Sequence, residues 1–277
     1  MSNLDTMTLA RQAISLGLLT EPKVEQAWME FGKQGGEADL FLRFMERKGH
    51  LTPWQSQKLV KGDIDGFFLG GYKILYKVAS GSFGRVFRAE DPQTGRVVAI
   101  KVLRRRWTDD PQRVELFERE GRVGLSLRHP GIVEILTVNH DAPSGQWFIV
   151  MEFVEGGNLR DILAIRKKLT PAEALKLIED AASGLAHAYA RGVTHRDVKL
   201  TNILISSQGT AKLVDFGLAK FYATISKEED KVERTVDYAG LERSTGVNAG
   251  DVRSDIYFLG CVLYEMLTGR PPLETTR

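Results

Sequence analysis

The chain has a single cysteine, Cys261, among its 277 residues. An internal disulfide and a cysteine-built metal cluster are therefore excluded, and this usage fits a reducing compartment. A dominant charge is missing too: 38 Lys and Arg against 36 Asp and Glu leave a net charge of +2. A dedicated nucleic-acid binder would carry a stronger basic bias, so no nucleic-acid partner is expected. Long apolar runs are absent as well. The longest, Ile256 to Tyr264, is interrupted by Gly260 and falls far short of the ~20 residues of a membrane span. Asp5 and Arg11 stand in the first turns without an apolar core, so no secretory signal is visible. A cytoplasmic location is expected, with membrane attachment through a segment beyond Arg277 left open. What is present, 43% hydrophobic and 27% charged residues, is the composition of an ordinary globular protein.

Residues 1–65 read as a small all-α region. Gly17-Leu18-Leu19-Thr20-Glu21-Pro22 and Gly49-His50-Leu51-Thr52-Pro53 each combine a glycine able to end a helix, a threonine able to cap the next, and a proline in its first turn. Val24, Ala27, Trp28 and Phe31 have helical spacing, as do Leu40, Phe41, Phe44 and Met45. A helical bundle packed on the rest of the chain is one reading; a partner-binding or self-associating module is the other. Gly62 to Gly66 reads as a linker. Strands are predicted at 72–78, 84–90, 97–103, 132–139 and 147–153, with a helix over 111–127 between the third and fourth. Helices are predicted over 171–190 and 254–268. Strands first and helices second imply an α+β architecture, not a doubly wound sheet.

His195-Arg196-Asp197-Val198-Lys199-Leu200-Thr201-Asn202, with Asp215-Phe216-Gly217 further on, sets two carboxylates, a lysine and an amide carbonyl at a spacing suited to phosphoryl transfer from ATP. Asp197 can orient and deprotonate an attacking hydroxyl. Lys199 can neutralise charge on the moving group. Asn202 and Asp215 can hold Mg²⁺ against phosphates. Upstream, the glycine turn Val78-Ala79-Ser80-Gly81-Ser82-Phe83-Gly84-Arg85-Val86 lets backbone N–H groups approach phosphates.

Taken together these motifs, with Val98-Ala99-Ile100-Lys101 between them, resemble the protein kinases, and among them the bacterial eukaryotic-like Ser/Thr kinases. The resemblance covers Tyr72 to Arg277. It implies a two-lobed fold, with a β-rich small lobe over about 72–154 and a partial, mainly helical large lobe over about 155–277, preceded by the helical region 1–65. It further implies that Lys101 binds phosphates and pairs with Glu120, Glu118 being the rival. Met151 would sit behind adenine, Glu152 and Val154 would bond it through their backbones, and Val86, Ala99 and Leu204 would sandwich it. Thr224, Ser226 and Thr235 would be regulatory hydroxyls of an activation segment, and Arg196 the partner of a loop phosphate. The implied reaction is transfer of the γ-phosphoryl group of ATP to a Ser/Thr hydroxyl of a protein. The alternative is a pseudokinase or scaffold without turnover.

Several positions depart from the pattern. Ala79 replaces a glycine, Leu200 a proline, and Gly240-Leu241-Glu242 lacks the proline before its glutamate. The chain stops soon after the helix over 254–268, where the family continues with three further helices, so part of that helix should be exposed. Gly121 and Gly124 weaken the helix carrying Glu120, each by ~1 kcal/mol relative to alanine. A mobile helix is therefore expected, together with higher basal activity when leucine is introduced at 124.

Overall fold

The computed structural model describes residues 5–32, 38–81, 83–216, 246 and 251–272. The chain divides into two compact units, residues 1–106 with 139–148, and residues 107–138 with 149–277.

The first unit begins with four helices: α1 (Thr6–Ser15), α2 (Glu21–Phe31), α3 (Ala38–Arg47) and α4 (Pro53–Val60). Gly17 and Gly49 both take φ 71°, the left-handed conformation expected of helix-ending glycines. Thr20 occupies the cap position of α2 without a side-chain bond. Thr52 forms a full capping box: its hydroxyl accepts from Gln55 N–H at 3.2 Å, while Gln55 Oε1 accepts from Thr52 N–H at 2.9 Å. Val24, Ala27 and Phe31 face the shared core as their spacing predicts. On α3 the apolar stripe is shifted from the expected one: Phe41, Leu42 and Met45 are buried, whereas Leu40 is exposed. Each large side chain buried here stabilises the module by roughly 1.5–3 kcal/mol. Trp28 stacks on Phe41 at 4.8 Å, and Phe31 meets the same ring edge-on at 5.5 Å.

Phe67 joins this helical core, and the chain runs on into β1 (Phe68–Leu69), β2 (Tyr72–Ser80), β3 (Gly84–Glu90) and β4 (Val97–Leu103). β1 is too short for a period-2 signal and escapes the sequence reading. Neighbouring strands in this set are antiparallel. With β5 (Ile135–Asp141) and β6 (Gln146–Glu152), the six-stranded sheet follows the order β1-β2-β3-β4-β6-β5. The fourth predicted strand thus starts three residues late, because Ile132 instead forms an isolated parallel bridge to Leu213.

The second unit holds α5 (Pro111–Leu125), α6 (Leu159–Arg166), α7 (Pro171–Tyr189), the hairpin β7 (Ile203–Ile205) and β8 (Ala211–Leu213), and α8 (Val252–Thr268). Among the described elements of this unit, α6, two turns long, and β7 have no counterpart in the sequence reading. Thr170 caps α7 in a second capping box with Glu173. The core of this unit gathers Leu159, Ala181, Ile203, Leu213 and Met266. On α8, Leu259, Val262 and Met266 are buried while Ile256, Tyr257 and Tyr264 are exposed, the partial exposure expected of that helix.

Candidate active site

The second unit concentrates the charged motif around the β7–β8 hairpin. Ile203 pairs with Leu213, Leu204 with Lys212 and Ile205 with Ala211. The ladder ends where Val214 N–H donates to the Asn202 carbonyl at 3.0 Å, so Asp215 is the next residue beyond Asn202's partner. The Asn202 amide donates to Asp197 twice, to the carbonyl and to Oδ2, each at 2.9 Å. Lys199 Nζ also donates to Asp197 Oδ2. Three of the predicted residues thereby form one hydrogen-bonded group, and Asp215 follows from the hairpin register.

The loop carrying Asp197 is shaped from below. Asp255, in the first turn of α8 and 2% exposed, accepts from His195 N–H and from Arg196 N–H, each at 2.8 Å. This clamp holds Arg196 at φ 65°. The Arg196 side chain donates from Nε to Thr194 Oγ1 at 2.9 Å. His195 is fully buried, its Nδ1 accepting from Asp197 N–H at 3.2 Å and its ring lying 4.6 Å from that of Phe216. Burial pushes its imidazole below the usual range, against the pull of the Asp255, Asp197 and Asp215 carboxylates. Asp255 is absent from the sequence-predicted set. Its only signal, an acidic residue in a helix's first turn, reads as an ordinary dipole complement.

Behind this group lies a cavity of about 20 Å³, room for a water molecule, lined in part by Glu120, Gly124, Ile135, Met151, Asp215 and Phe216. It therefore gathers Glu120, Met151 and Asp215 of the predicted set. Helix α5 reaches β5 through its two glycines. A Cβ on Gly121 would lie 2.2 Å from Val138 Cγ2, and one on Gly124 would lie 2.2 Å from Ile135 Cδ1. These glycines serve close helix–strand packing, and Ile135 fills the space that a side chain at 124 would need. Glu152 commits its carboxylate to Lys212 Nζ at 2.7 Å and Glu134 N–H at 2.9 Å. Its own N–H donates to the Glu134 carbonyl at 2.9 Å. Leu204 lies mid-hairpin in β7, and Val154 stands two residues beyond the end of β6.

The other described residues of the predicted set lie in the first unit. Ala79 pairs with Val86 and Ser80 with Arg85, so the β2 ladder continues through the alanine that replaces a glycine. Gly81 N–H donates to the Gly84 carbonyl at 2.9 Å and closes the turn around Phe83. Val78 is exposed. Lys101 stands opposite Val86 and Ala99 opposite Arg88. Arg104, first of the run Arg104-Arg105-Arg106, donates from Nε to the Gly81 carbonyl at 2.7 Å and from its guanidinium to Ser80 Oγ at 3.1 Å. Its N–H donates to the Phe83 carbonyl at 2.9 Å. Ser82, Gly217, Thr224, Ser226, Thr235 and the Gly240-Leu241-Glu242 motif lie outside the described residues.

A hydrogen-bonded Asp–Lys–Asn group beside a β-hairpin, together with a glycine turn between antiparallel strands, is the organisation of a protein kinase. The family model for the protein kinase domain matches residues 72–277, and the chain belongs to that family. It is 38% identical over 206 residues to the serine/threonine-protein kinase PrkC of Bacillus subtilis, covering 74% of this chain and 31% of that protein. It is 40% identical to the serine/threonine-protein kinase PknB of Mycobacterium tuberculosis, covering 73% and 33% respectively. The chain thus spans about a third of the length of the curated relatives it matches. Among solved structures, the PknI kinase domain of Mycobacterium tuberculosis matches with a TM-score of 0.58 at 27% identity, covering 76% of this chain and 78% of that one. Among the described residues, no helix is long and apolar enough to cross a membrane.

Proposed function

We propose that this chain is the catalytic part of a protein serine/threonine kinase that moves the γ-phosphoryl group of ATP to a Ser or Thr hydroxyl of a protein, in the cytoplasm. The observation that carries the reading is the group formed by Asp197, Lys199 and Asn202. An incoming hydroxyl gives its proton to the Asp197 carboxylate, its oxygen bonds to the γ-phosphorus, and the bond from that phosphorus to the bridging oxygen breaks to release ADP. Lys199, already on Asp197 Oδ2, supplies positive charge where the transferring group becomes most anionic. Lys101 binds the phosphates and Glu120 orients Lys101. The turn Val78–Val86 covers the phosphates with its N–H groups. The carbonyl of Glu152 and the N–H of Val154 hold the adenine edge, Met151 backs it, and Val86, Ala99 and Leu204 pack on its faces.

Asn202 and Asp215 fit a divalent cation. The amide NH₂ of Asn202 is spent on Asp197, which leaves Oδ1 as a hard oxygen donor, and Asp215, one residue past Val214, supplies a carboxylate. Mg²⁺ held there would neutralise phosphate charge. Thr224, Ser226 and Thr235 are the hydroxyls through which the activation segment is regulated, a phosphate there pairing with Arg196. Phosphate found by mass spectrometry within 218–242 after incubation with Mg-ATP supports this regulation; its absence there counts against it.

The decisive experiment follows γ-phosphate transfer to a basic protein acceptor with Mg²⁺. The parent chain should phosphorylate it. Asp197→Asn should lose at least about 10²-fold in rate while still binding nucleotide. Nucleotide-induced stabilisation of the parent without turnover would replace this reading with that of a nucleotide-binding scaffold.

A further inference from the structure

The helical module of residues 6–60 lies ahead of the matched kinase region, which begins at residue 72. Its last helix is joined to the glycine hairpin on both strands. Thr52 and Gln55 use their capping box in two directions. While each accepts from the other's backbone N–H, the Thr52 hydroxyl donates to the Leu75 carbonyl at 2.5 Å and the Gln55 Nε2 donates to the Ile74 carbonyl at 2.8 Å. Both acceptors are on β2. Between them, Trp54 meets the ring of Phe87 on β3 at 6.2 Å. Gln55 is 1% exposed, so its amide donor has no solvent to fall back on.

The place of attachment matters. The β2–β3 register shifts between Ile74 and Tyr76, and again between Lys77 and Ala79. Such irregularities leave backbone groups outside the ladder and re-aim the strand beyond them. The first falls on Leu75, whose carbonyl Thr52 takes. The second falls on Val78, where the glycine turn begins. A glutamate at the third helical position would complete the capping box equally well, but only glutamine adds a donor toward β2.

We infer that the helical module is a brace for nucleotide binding: through Thr52 and Gln55 it fixes the first bulge of β2 and thereby the placement of Val78–Gly81 over the phosphates. Thr52 and Gln55 are positioning residues, remote from the reacting atoms. The inference rests on the kinase reading for the identity of the ligand, ATP, and on hydrogen-bond geometry for the brace itself.

The test uses the full chain. Gln55→Glu and Thr52→Asp keep helix-capping oxygens and remove the donors to β2. Thr52→Ser keeps both roles. Asp5→Ala weakens the cap of α1, remote from β2. ATP affinity by titration, KM for ATP against kcat, melting temperature, and deuterium uptake over residues 76–81 are measured for each. The brace predicts about fivefold weaker ATP binding and higher KM in Gln55→Glu and Thr52→Asp, the ratio one net hydrogen bond carries. It also predicts kcat within twofold and faster uptake at 76–81. Thr52→Ser should match the parent, and Asp5→Ala should lose melting temperature alone. If Gln55→Glu does not fold, Thr52→Asp decides. Variants that lose only melting temperature, as Asp5→Ala does, overturn the inference, as do variants unchanged in every readout. A parent chain that binds no ATP overturns the kinase reading instead, and uptake at 76–81 then decides the brace.

Discussion

Among the described residues of the helical module 6–60, the left-handed backbone positions are glycines, Gly17 and Gly49. In the catalytic segment 195–216, Arg196 and Asp215 take that conformation with full side chains, at φ 65° and 64°. Each costs of order 1–3 kcal/mol. The module buries mostly apolar side chains, whereas the segment and its support bury His195, Asn202 and Asp255. The module's helices are held by their caps and by apolar contacts among themselves. At Arg196 the locally unfavourable geometry is held by Asp255, about sixty residues away, which accepts from the N–H groups of His195 and Arg196. A region that must present charge in a fixed arrangement draws its stability from elsewhere in the fold.

Removing that outside support should break the contrast most strongly. Asp255→Ala leaves the N–H groups of His195 and Arg196 without their carboxylate partner. It should cost about 3 kcal/mol or more by denaturant unfolding and at least tenfold in phosphoryl-transfer rate. An equal substitution at the module's surface, such as Asp39→Ala, whose partner Arg43 is exposed, should stay within about 0.5 kcal/mol.

The next largest effect concerns packing beneath the segment. Gly124→Leu should destabilise by about 1–3 kcal/mol, because its Cβ would enter the space of Ile135. Adding Ile135→Ala should recover part of that loss in a double-mutant cycle. This reverses the activation expected from sequence, and an increase in stability or basal activity in the single variant would refute the packing account. Arg104→Ala should be milder, a few-fold rise in KM for ATP with kcat retained, since two side-chain bonds to the glycine turn are lost at an exposed site.

The smallest effect is a pH slope. The buried His195 has its folded pKa below the ordinary 6.5, so the unfolded chain takes up its proton first as pH falls. Stability from this residue is complete above about pH 6.5 and declines as pH drops from there toward the folded pKa. Unfolding curves between pH 7.5 and 5.5 should show the slope, and His195→Asn, which keeps an acceptor for Asp197 N–H, should flatten it.

The contrast also explains what could be read in advance. Asp197, Lys199, Asn202 and Asp215 lie close together in sequence, and their chemistry forces a specific spacing, so the motif was visible. The module's helices were visible through Gly17, Gly49 and the apolar repeats. Asp255 was not, because a long-range carboxylate-to-backbone bond leaves no periodic trace. Arg104 was hidden within a run of three arginines that composition alone treats as solvated. Gly121 and Gly124 were read by helix propensity, whereas their positions answer to Val138 and Ile135 on another element. Leu40 was assigned to the core because a stripe shifted by one turn position satisfies nearly the same spacing.

The bare wall at Gly124 has a consequence for how this protein could adapt to different occupants of its interior. Ile135 leans into the space left by the absent side chain, so the recess beside Met151 and Phe216 is walled at this point by the rotamer of one aliphatic side chain. Adjustability here is vested in a hinge the size of a single χ angle.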